Sequence, residues 1–310
     1  MTSLLRATTL LLLISLLLPA STPAAGRVVG ALLTSDLHRY REAHRYLLKV
    51  LGAHGYLASS EILLQTPNPD PQSWANSVRK LTAYGADIIV AYGAPAVASA
   101  LREGDETPVV AVDAVLPEGP LPDDLCGISG RVPMVTLLRV MQEIRHRQRV
   151  GVLYNSREVG SQRQLDDLRR AARQMHLTLV EGNVSRPQAL DPVTSSLLGQ
   201  ANALIVTESS VVCRQFDRII ARAHNARVPV ATTMPDGAAR GALVSLETSP
   251  AEQGEVAGQM TVRLLEGMRP AQLGIVTPRR IDLVLNLKVA REHDATVPFH
   301  VLDMATRILK

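Results

Sequence analysis

The sequence has few aromatic residues and few cysteines. Aromatic side chains make up 3% of the 310 residues, which counts against a groove that binds sugars by stacking. The two cysteines, Cys126 and Cys213, are far apart and lie near apolar segments that we expect to fall in different halves of the chain. We therefore expect two buried thiols, with a disulfide as the alternative.

Basic residues are not concentrated in any one stretch. The formal net charge is +4 and no block of lysines and arginines occurs, so we expect no nucleic-acid partner.

The sequence also lacks the phosphate-binding loop, the dinucleotide fingerprint, the nucleophile elbow, the zinc-protease motif and any cysteine–histidine set with metal spacing. These absences favour binding over catalysis. We expect no enzyme, no catalytic residue, no cofactor and no metal site; a secreted enzyme is the alternative, but no pair of acidic or histidine residues has diagnostic spacing.

The first predicted helix carries three residues that could bind a metal. His38, Glu42 and His44 lie in a segment whose apolar residues recur at helical spacing. Positions six apart lie on opposite sides of a helix, and only pairs three or four apart chelate from one face. We therefore interpret all three as solvated side chains. Ser35 and Asp36, just before this segment, are predicted N-caps.

Residues 1–25 differ from the rest of the chain. Arg6 precedes an apolar run at positions 10–18, which is followed by Pro19 and a run of small residues at positions 20–25. This pattern predicts a cleaved secretory signal peptide, with an uncleaved anchor as the alternative. No cysteine follows the apolar run, so we expect no lipid anchor at this site.

The rest of the chain is organised around residues 149–161, which read RVGVLYNSREVGS. A short apolar strand runs into a polar loop, and the loop leads to a helix. This arrangement places a loop and free backbone N–H groups at the carboxyl end of a parallel strand, where open α/β sheets bind small molecules. The same unit recurs at residues 87–100 and 203–216, so we predict two lobes that face each other.

Strands and helices alternate along the mature chain, which indicates parallel βαβ units. Predicted strands lie at residues 26–34, 61–64, 86–91 and 108–112, and a narrow crossing at 127–130 leads to a second series. That series has the same order but no obvious residue identity with the first. The fold class is therefore α/β, with two doubly wound parallel-sheet lobes.

Five segments carry a resemblance to a known family. They read VGVLYNSRE, ALIVTESSVV, RVPVATTMPDGAARGAL, EQGEVAGQMTVRLLEGMRPAQL and IDLVLNLKVAREHDATVP. The chain resembles the bacterial ABC-transporter substrate-binding family that includes tryptophan/phenylalanine-type binding proteins. The resemblance implies a type I periplasmic binding fold, with a three-strand hinge and a ligand closed in the cleft. The expected parts are a signal peptide at 1–25, lobe 1 at 26–129 and 245–274, and lobe 2 at 130–244 and 275–310.

The resemblance also implies a set of ligand-binding positions. Three positions depart from the family pattern: Ala94 replaces a usual hydroxyl residue, Gly160 stands where Asn is frequent, and residues 207–209 lack the usual Asp at the third place. These departures remove hydrogen-bond partners for an amino-acid ligand but leave a cleft. The predicted ligand-binding residues are Tyr92, Gly93, Ala94, Asp113, Asn155, Glu158, Ser161, Thr207, Glu208 and Thr233.

The sequence therefore predicts a periplasmic solute-binding protein of an ABC importer. Helix N-termini after Gly93 and Gly160 suit a ligand carboxylate, and Asp113 or Glu208 suits a ligand ammonium, although each could equally be a helix cap or a surface charge. The expected ligand is a small molecule such as an amino acid or a related carboxylate, and the expected partner is a membrane permease. The alternative is a monomeric accessory protein with a degraded pocket that docks to a membrane sensor; a monomer is expected in either case.

Overall fold

The structure is a computed structural model that describes residues 26–144, 149–234 and 236–310. The predicted signal peptide, residues 1–25, and the basic residues 146–148 lie outside the described residues. Within the described ranges, no helix is both long enough and apolar enough to cross a membrane.

Six strands form the sheet of the first lobe. They are β1 (Arg27–Leu33), β2 (Ser60–Gln65), β3 (Ile88–Tyr92), β4 (Val109–Ala114), β5 (Leu125–Ser129) and β11 (Ile275–Val276). The order is β11-β5-β4-β3-β1-β2, and all neighbours pair in parallel. Strands β3, β4 and β5 are buried along their whole length, as expected for a parallel sheet with helices on both faces.

The helices of the first lobe cover this sheet. They are α1 (His38–Ala53), α2 (Tyr56–Ser59), α3 (Pro71–Ala83), α4 (Ala94–Glu103), α10 (Pro250–Leu265) and α11 (Pro270–Leu273). The α3 helix begins where the sequence predicts, because the Asp70 side chain accepts the Ser73 N–H at 2.9 Å and Pro71 occupies the first turn. Helices α1 and α10 pack closely, since Gly254 and Gly258 present no side chain to α1.

Seven strands form the sheet of the second lobe. They are β6 (Arg149–Tyr154), β7 (Thr178–Asn183), β8 (Ala203–Val206), β9 (Val230–Thr232), β10 (Val244–Thr248), β12 (Ile281–Asn286) and β13 (Arg307–Leu309). The order is β13-β12-β10-β9-β8-β6-β7. All neighbours are parallel except β10 and β12, which pair in antiparallel fashion.

The helices of the second lobe lie on both faces of its sheet. They are α5 (Met134–Ile144), α6 (Val159–Gln174), α7 (Leu190–Leu198), α8 (Ser210–Arg214), α9 (Phe216–Asn225), α12 (Leu287–Glu292) and α13 (Phe299–Met304). One apolar cluster lies on the α5 and α6 side of the sheet, and a second one contains Phe216 and Ile219 of α9. Two α/β lobes of this kind confirm the predicted fold class.

Three segments of chain connect the lobes. They lie between β5 and α5, at Ser249 between β10 and α10, and between β11 and β12. The predicted boundaries at 245 and 275 each fall a few residues before the crossing, because β10 pairs within the second sheet and β11 within the first. An apolar run identifies a strand but does not say which sheet it joins.

Two expectations for α1 and the residues before it are wrong. His44 is not solvated: it is buried, and its Nδ1 lies 2.9 Å from the Tyr92 hydroxyl, because this face of α1 packs on the first sheet. The N-cap of α1 is Leu37, with no side-chain capping bond, in place of Ser35 or Asp36.

The prediction for the cysteines is confirmed, since Cys126 and Cys213 are both buried free thiols.

Candidate functional site

The carboxyl ends of the parallel strands of the two lobes face each other across a narrow cleft. Residues that follow β1, β3 and β4 meet residues that follow β6 and β8. Between them is a cavity of about 20 Å³, which has room for about one water molecule. The cavity is lined by Thr34, Ser35, Leu37, Tyr40, Ala94, Pro95, Val115, Glu158, Gly160, Ser161, Glu208, Ser209, Ser210 and Cys213.

Arg39, near the start of α1, joins the two lobes inside this cleft. Its Nε donates to Asp113 Oδ2 at 2.6 Å and its Nη2 contacts the same oxygen. Its Nη1 lies 2.9 Å from Glu208 Oε2. Asp113 belongs to β4 of lobe 1, whereas Glu208 follows β8 of lobe 2. The two carboxylates that were predicted to suit a ligand ammonium are therefore both paired with a guanidinium of the chain itself.

Burial sets the electrostatics of this ion bridge. The Arg39 side chain is 4% exposed and that of Glu208 is 15% exposed. Burial opposes the charge on Arg39, but the carboxylates of Asp113 and Glu208 raise its pKa well above the ordinary value. Burial also raises the pKa of Glu208, and the attraction of Arg39 acts in the opposite direction. The guanidinium of Arg39 therefore stays positively charged, and the carboxylates of Asp113 and Glu208 both face it.

Asp113 is held in place from three sides. Its backbone is left-handed, with φ of 52°, a conformation that Asp adopts more readily than most residues. Its N–H donates to Gln253 Oε1 at 2.8 Å, and its Oδ1 accepts the Thr248 hydroxyl at 3.1 Å. Because Thr248 and Gln253 flank the crossing at Ser249, Asp113 links the hinge to Arg39.

Tyr40 and Gly93 shape the lobe 1 wall of the cleft. The Tyr40 hydroxyl donates to Glu208 Oε1 at 3.1 Å, which adds a second contact between the lobes. Gly93, in the turn from β3 to α4, has φ of 86°, and a Cβ there would lie 2.5 Å from the Tyr40 hydroxyl. Glycine is therefore required at this turn, both for the backbone conformation and for the close approach of Tyr40.

Ser35 offers an uncommitted polar group to the cavity. Its residue is 2% exposed, and its Oγ has no hydrogen-bond partner among the residues that the structure describes. A buried hydroxyl without a partner is unfavourable. A solute or water in the cavity would satisfy it.

Glu158 is committed to lobe 2. Its carboxylate accepts the Ser210 N–H at 3.0 Å, the Ser210 hydroxyl at 3.0 Å and the Asn155 amide at 2.8 Å. Burial raises the pKa of Glu158, and the bonds from Ser210 act in the opposite direction. Its carboxylate therefore fastens the β6 loop to the start of α8, while one side borders the cavity.

Two further polar pairs order the lobe 2 wall. The Ser161 hydroxyl lies 2.7 Å from Thr207 Oγ1 and accepts the Asn155 N–H at 2.9 Å. Gln164 of α6 accepts the Glu208 N–H at 2.8 Å, and its amide donates to Thr233 at 3.2 Å. These bonds fix the loops after β6, β8 and β9 relative to one another.

The structure divides the predicted site residues into two groups. Ala94, Glu158, Ser161 and Glu208 line the cavity itself. The others lie behind it: Tyr92 under Tyr40, Gly93 in the turn, Asp113 beyond Arg39, and Asn155, Thr207 and Thr233 in the hydrogen-bonded wall.

Sequence reasoning missed several residues of the cleft, above all Arg39, Tyr40 and Ser35. Ser35 was open to prediction, because it follows β1 in the way that Ala94 follows β3. Arg39 and Tyr40 gave no signal, since they lie inside a helix pattern.

A rim of ion pairs closes one side of the cleft. Glu118, in the loop after β4, contacts Arg163 of α6, and its carboxylate lies 3.7 Å from Arg131 and from Arg170. Because Glu118 belongs to lobe 1 and α6 to lobe 2, this cluster adds an attraction between the lobes that is more exposed than the Arg39 bridge.

Comparisons with known proteins agree with this architecture. The family model described as ABC transporter substrate binding protein matches residues 40–309. The Tyrosine-binding protein of Clostridioides difficile (strain R20291) is 22% identical over 259 residues, which cover 79% of this chain and 74% of the relative.

Two solved structures share the fold. A conserved domain protein from Vibrio cholerae O1 biovar El Tor has a TM-score of 0.86 at 21% identity, covering 91% of this chain and 99% of the other. A domain from Streptococcus pneumoniae in complex with L-Trp has a TM-score of 0.85 at 20% identity, covering 92% of this chain and 100% of the other.

Proposed function

The chain belongs to the family of ABC transporter substrate-binding proteins, and we propose that it captures a small molecule between its two lobes in the periplasm and delivers it to the permease of an ABC importer. One observation carries this proposal: polar groups from the strand ends of both lobes converge on one buried cavity. In open α/β sheets this is the position at which ligands bind.

The proposed ligand is an amino acid or a related carboxylate. Among the similar proteins, one is named a tyrosine-binding protein and one is in complex with L-Trp, whereas others with TM-scores of 0.62–0.65 are in complex with sugars. In this chain, the first turns of α4 and α6 border the cavity at Ala94, Gly160 and Ser161, and helix N-termini favour anions. The Ser35 hydroxyl supplies a further polar partner. The lobes must open to admit such a ligand, since the cavity between them is about 20 Å³.

Export by a cleaved signal peptide completes the proposal. Residues 1–25 have the basic, apolar and small-residue order of a secretory signal. The mature protein is then proposed to act in the periplasm as a monomer.

The experiment that tests solute capture is mass spectrometry of small molecules released from the freshly purified, denatured protein. An Ala94→Leu variant should lose the released molecule, because the larger side chain enters the cavity. The matched control is Arg102→Leu, on the same helix at an exposed position, 58% accessible in its side chain, which should retain it. The released compound should then raise the melting temperature of the wild-type protein and leave that of Ala94→Leu unchanged.

A second candidate is a sensory or accessory protein that keeps the lobes but docks to a membrane receptor. The observation that favours it is the Arg39 bridge, which occupies the acids that a ligand ammonium would use. Recovery of a sensor protein and no permease in cross-linking to membranes, together with no released solute and no thermal shift across amino acids and organic acids, would support it and count against import.

A further inference from the structure

The guanidinium of Arg39 occupies a position between the lobes that a solute cation would otherwise take. It has one acidic partner in each lobe, Asp113 and Glu208, and all three side chains are largely removed from solvent. Among the described residues that line the cavity, none carries a positive charge that could pair with these acids. Arg39 therefore satisfies the acids from within the chain.

Tyr40 and Arg39 border two separate spaces near the cleft. On one side lies the cavity of about 20 Å³, and on the other a pocket of about 120 Å³ that is lined by Arg39 itself, Met234 and Asp236. Leu37 and Cys213 border both spaces. Each space is too small for a tryptophan-sized solute while the lobes are held in this arrangement.

We propose that Arg39 is an internal latch: by bridging Asp113 and Glu208 it holds the lobes closed without a solute, and a solute enters only when the latch releases. The latch rests on the proposed function, because it regulates access to the same cleft. It also makes Arg39 a specificity-determining residue. While it is latched, the ammonium group of an amino acid has no free carboxylate at Asp113 or Glu208.

The geometry of the bridge makes an interlobe role specific to the guanidinium. Its Nε and Nη2 both face Asp113 Oδ2, and its Nη1 lies 2.9 Å from Glu208 Oε2 as an ion pair. A compact lysine ammonium cannot spread its charge over two partners in this way. A small guanidinium compound of the right size is therefore able to replace the side chain if the side chain is removed.

Small-angle scattering of the purified mature protein, stripped of bound solute by unfolding and refolding, tests the latch. The wild-type curve should match the closed arrangement. Arg39→Ala should give a larger radius of gyration, and millimolar methylguanidinium should return it towards the wild-type value, while sodium chloride at equal ionic strength should not. Arg41→Ala is the matched control, because Arg41 lies on the same helix but pairs with Asp36 within lobe 1, and its curve should equal that of the wild type.

A second variant protects the test against misfolding of Arg39→Ala. Glu208→Gln leaves the Arg39–Asp113 pair intact and removes only the charge on the lobe 2 side, so it should also open the protein. A wild-type protein that is already open without solute, or Arg39→Ala and Glu208→Gln proteins that stay closed, would overturn the latch. Neither result bears on whether a solute co-purifies, so the proposed function stands or falls by its own measurement.

Discussion

His44 lies on the same helix as Arg39, but its environment is entirely within lobe 1. Its Nδ1 is 2.9 Å from the Tyr92 hydroxyl, and its ring meets the Tyr92 ring edge to face at 5.6 Å. Burial lowers the pKa of His44 from its ordinary value of 6.5. The folded state therefore prefers the neutral ring, which can share a hydrogen bond with the tyrosine beneath the cleft.

The lowered pKa of His44 predicts how stability depends on pH. Between pH 6.5 and the lowered value, the unfolded chain binds a proton at this residue that the folded chain does not, so the free energy of unfolding falls as the pH drops through this window. His44→Gln should reduce that fall. Urea unfolding at about pH 7.5 and about pH 5.5 measures the difference.

The control for this prediction is His38→Gln on the same helix. The side chain of His38 is 70% exposed and lies 3.3 Å from Glu42. His38→Gln leaves the buried ring of His44 in place, so the fall in stability should match that of the wild type. Equal slopes for His44→Gln and the wild type would show that the buried ring does not carry the effect.

At the scale of single residues, the positions of several residues in the cleft wall could be predicted from the sequence, whereas the position of Arg39 could not. Glu158, Ser161 and Glu208 follow strands, and that position alone places them at the carboxyl edge of a sheet. Arg39 is the second residue of a long helix, where arginines are normally solvated. Only the tertiary approach of Asp113 from β4 and of Glu208 from the other lobe gives it a role, and no local pattern encodes that approach.

At the scale of elements, the contact of α1 with α10 holds the latch in position. Gly254 and Gly258 lie four residues apart on α10, and a Cβ at Gly254 would stand 2.0 Å from the Ala43 carbonyl oxygen. A Cβ at Gly258 would stand 2.7 Å from Val50 Cβ. The two glycines therefore let α1 approach closely, and α1 carries Arg39 to the cleft.

Gly254→Ala tests whether this approach or helix propensity decides stability. In an isolated helix the change should stabilise by about 1 kcal/mol. Here the methyl group meets a backbone oxygen that cannot turn away, so we expect destabilisation of about 1–3 kcal/mol in urea unfolding. The control, Gln259→Ala at an exposed position of the same helix, should change stability by less than about 0.5 kcal/mol. An increase in stability for Gly254→Ala would refute the close contact.

The elements themselves were largely predictable, and the reason is the alternation of buried strands with amphipathic helices. Strands β1, β3 and β4 lie within a few residues of their predicted positions because each is a short apolar run bounded by turn residues. The assignment of β10 to the second sheet was not predictable. Its sequence fits either sheet, and its partners, β9 and β12, are set by the path of the chain through the hinge.

At the scale of the whole molecule, closure determines how tightly any solute is bound. If the closed, latched state dominates, the apparent dissociation constant is the intrinsic one divided by the fraction of open molecules. A latch therefore weakens binding for all solutes and discriminates among them by their ability to replace its contacts. The ion bridge of Arg39 therefore lowers the affinity of the whole protein for its solute.

A cross-link between the lobes measures that closure directly. A Cβ at Gly160 of α6 would lie 3.3 Å from Cβ of Ala94 in α4, close to the separation of about 3.5–4.5 Å found in disulfides. The double variant Ala94→Cys/Gly160→Cys should therefore oxidise without added solute. After oxidation and unfolding it should show as many free thiols as the wild type, which has 2 cysteines, and reduction should reveal the added pair.

The controls for the cross-link separate closure from chance collision. Arg102→Cys/Gly160→Cys uses the same two helices, but position 102 lies about 12 Å further along α4, so this pair should stay reduced. Adding Arg39→Ala to the first pair should slow its oxidation, because the lobes then spend more time apart. Rapid oxidation that is unaffected by Arg39→Ala would mean that other contacts hold the lobes together, such as the Glu118 rim or the packing of Gly160 on Val115. The buried arginine would then shape the cleft without controlling its opening.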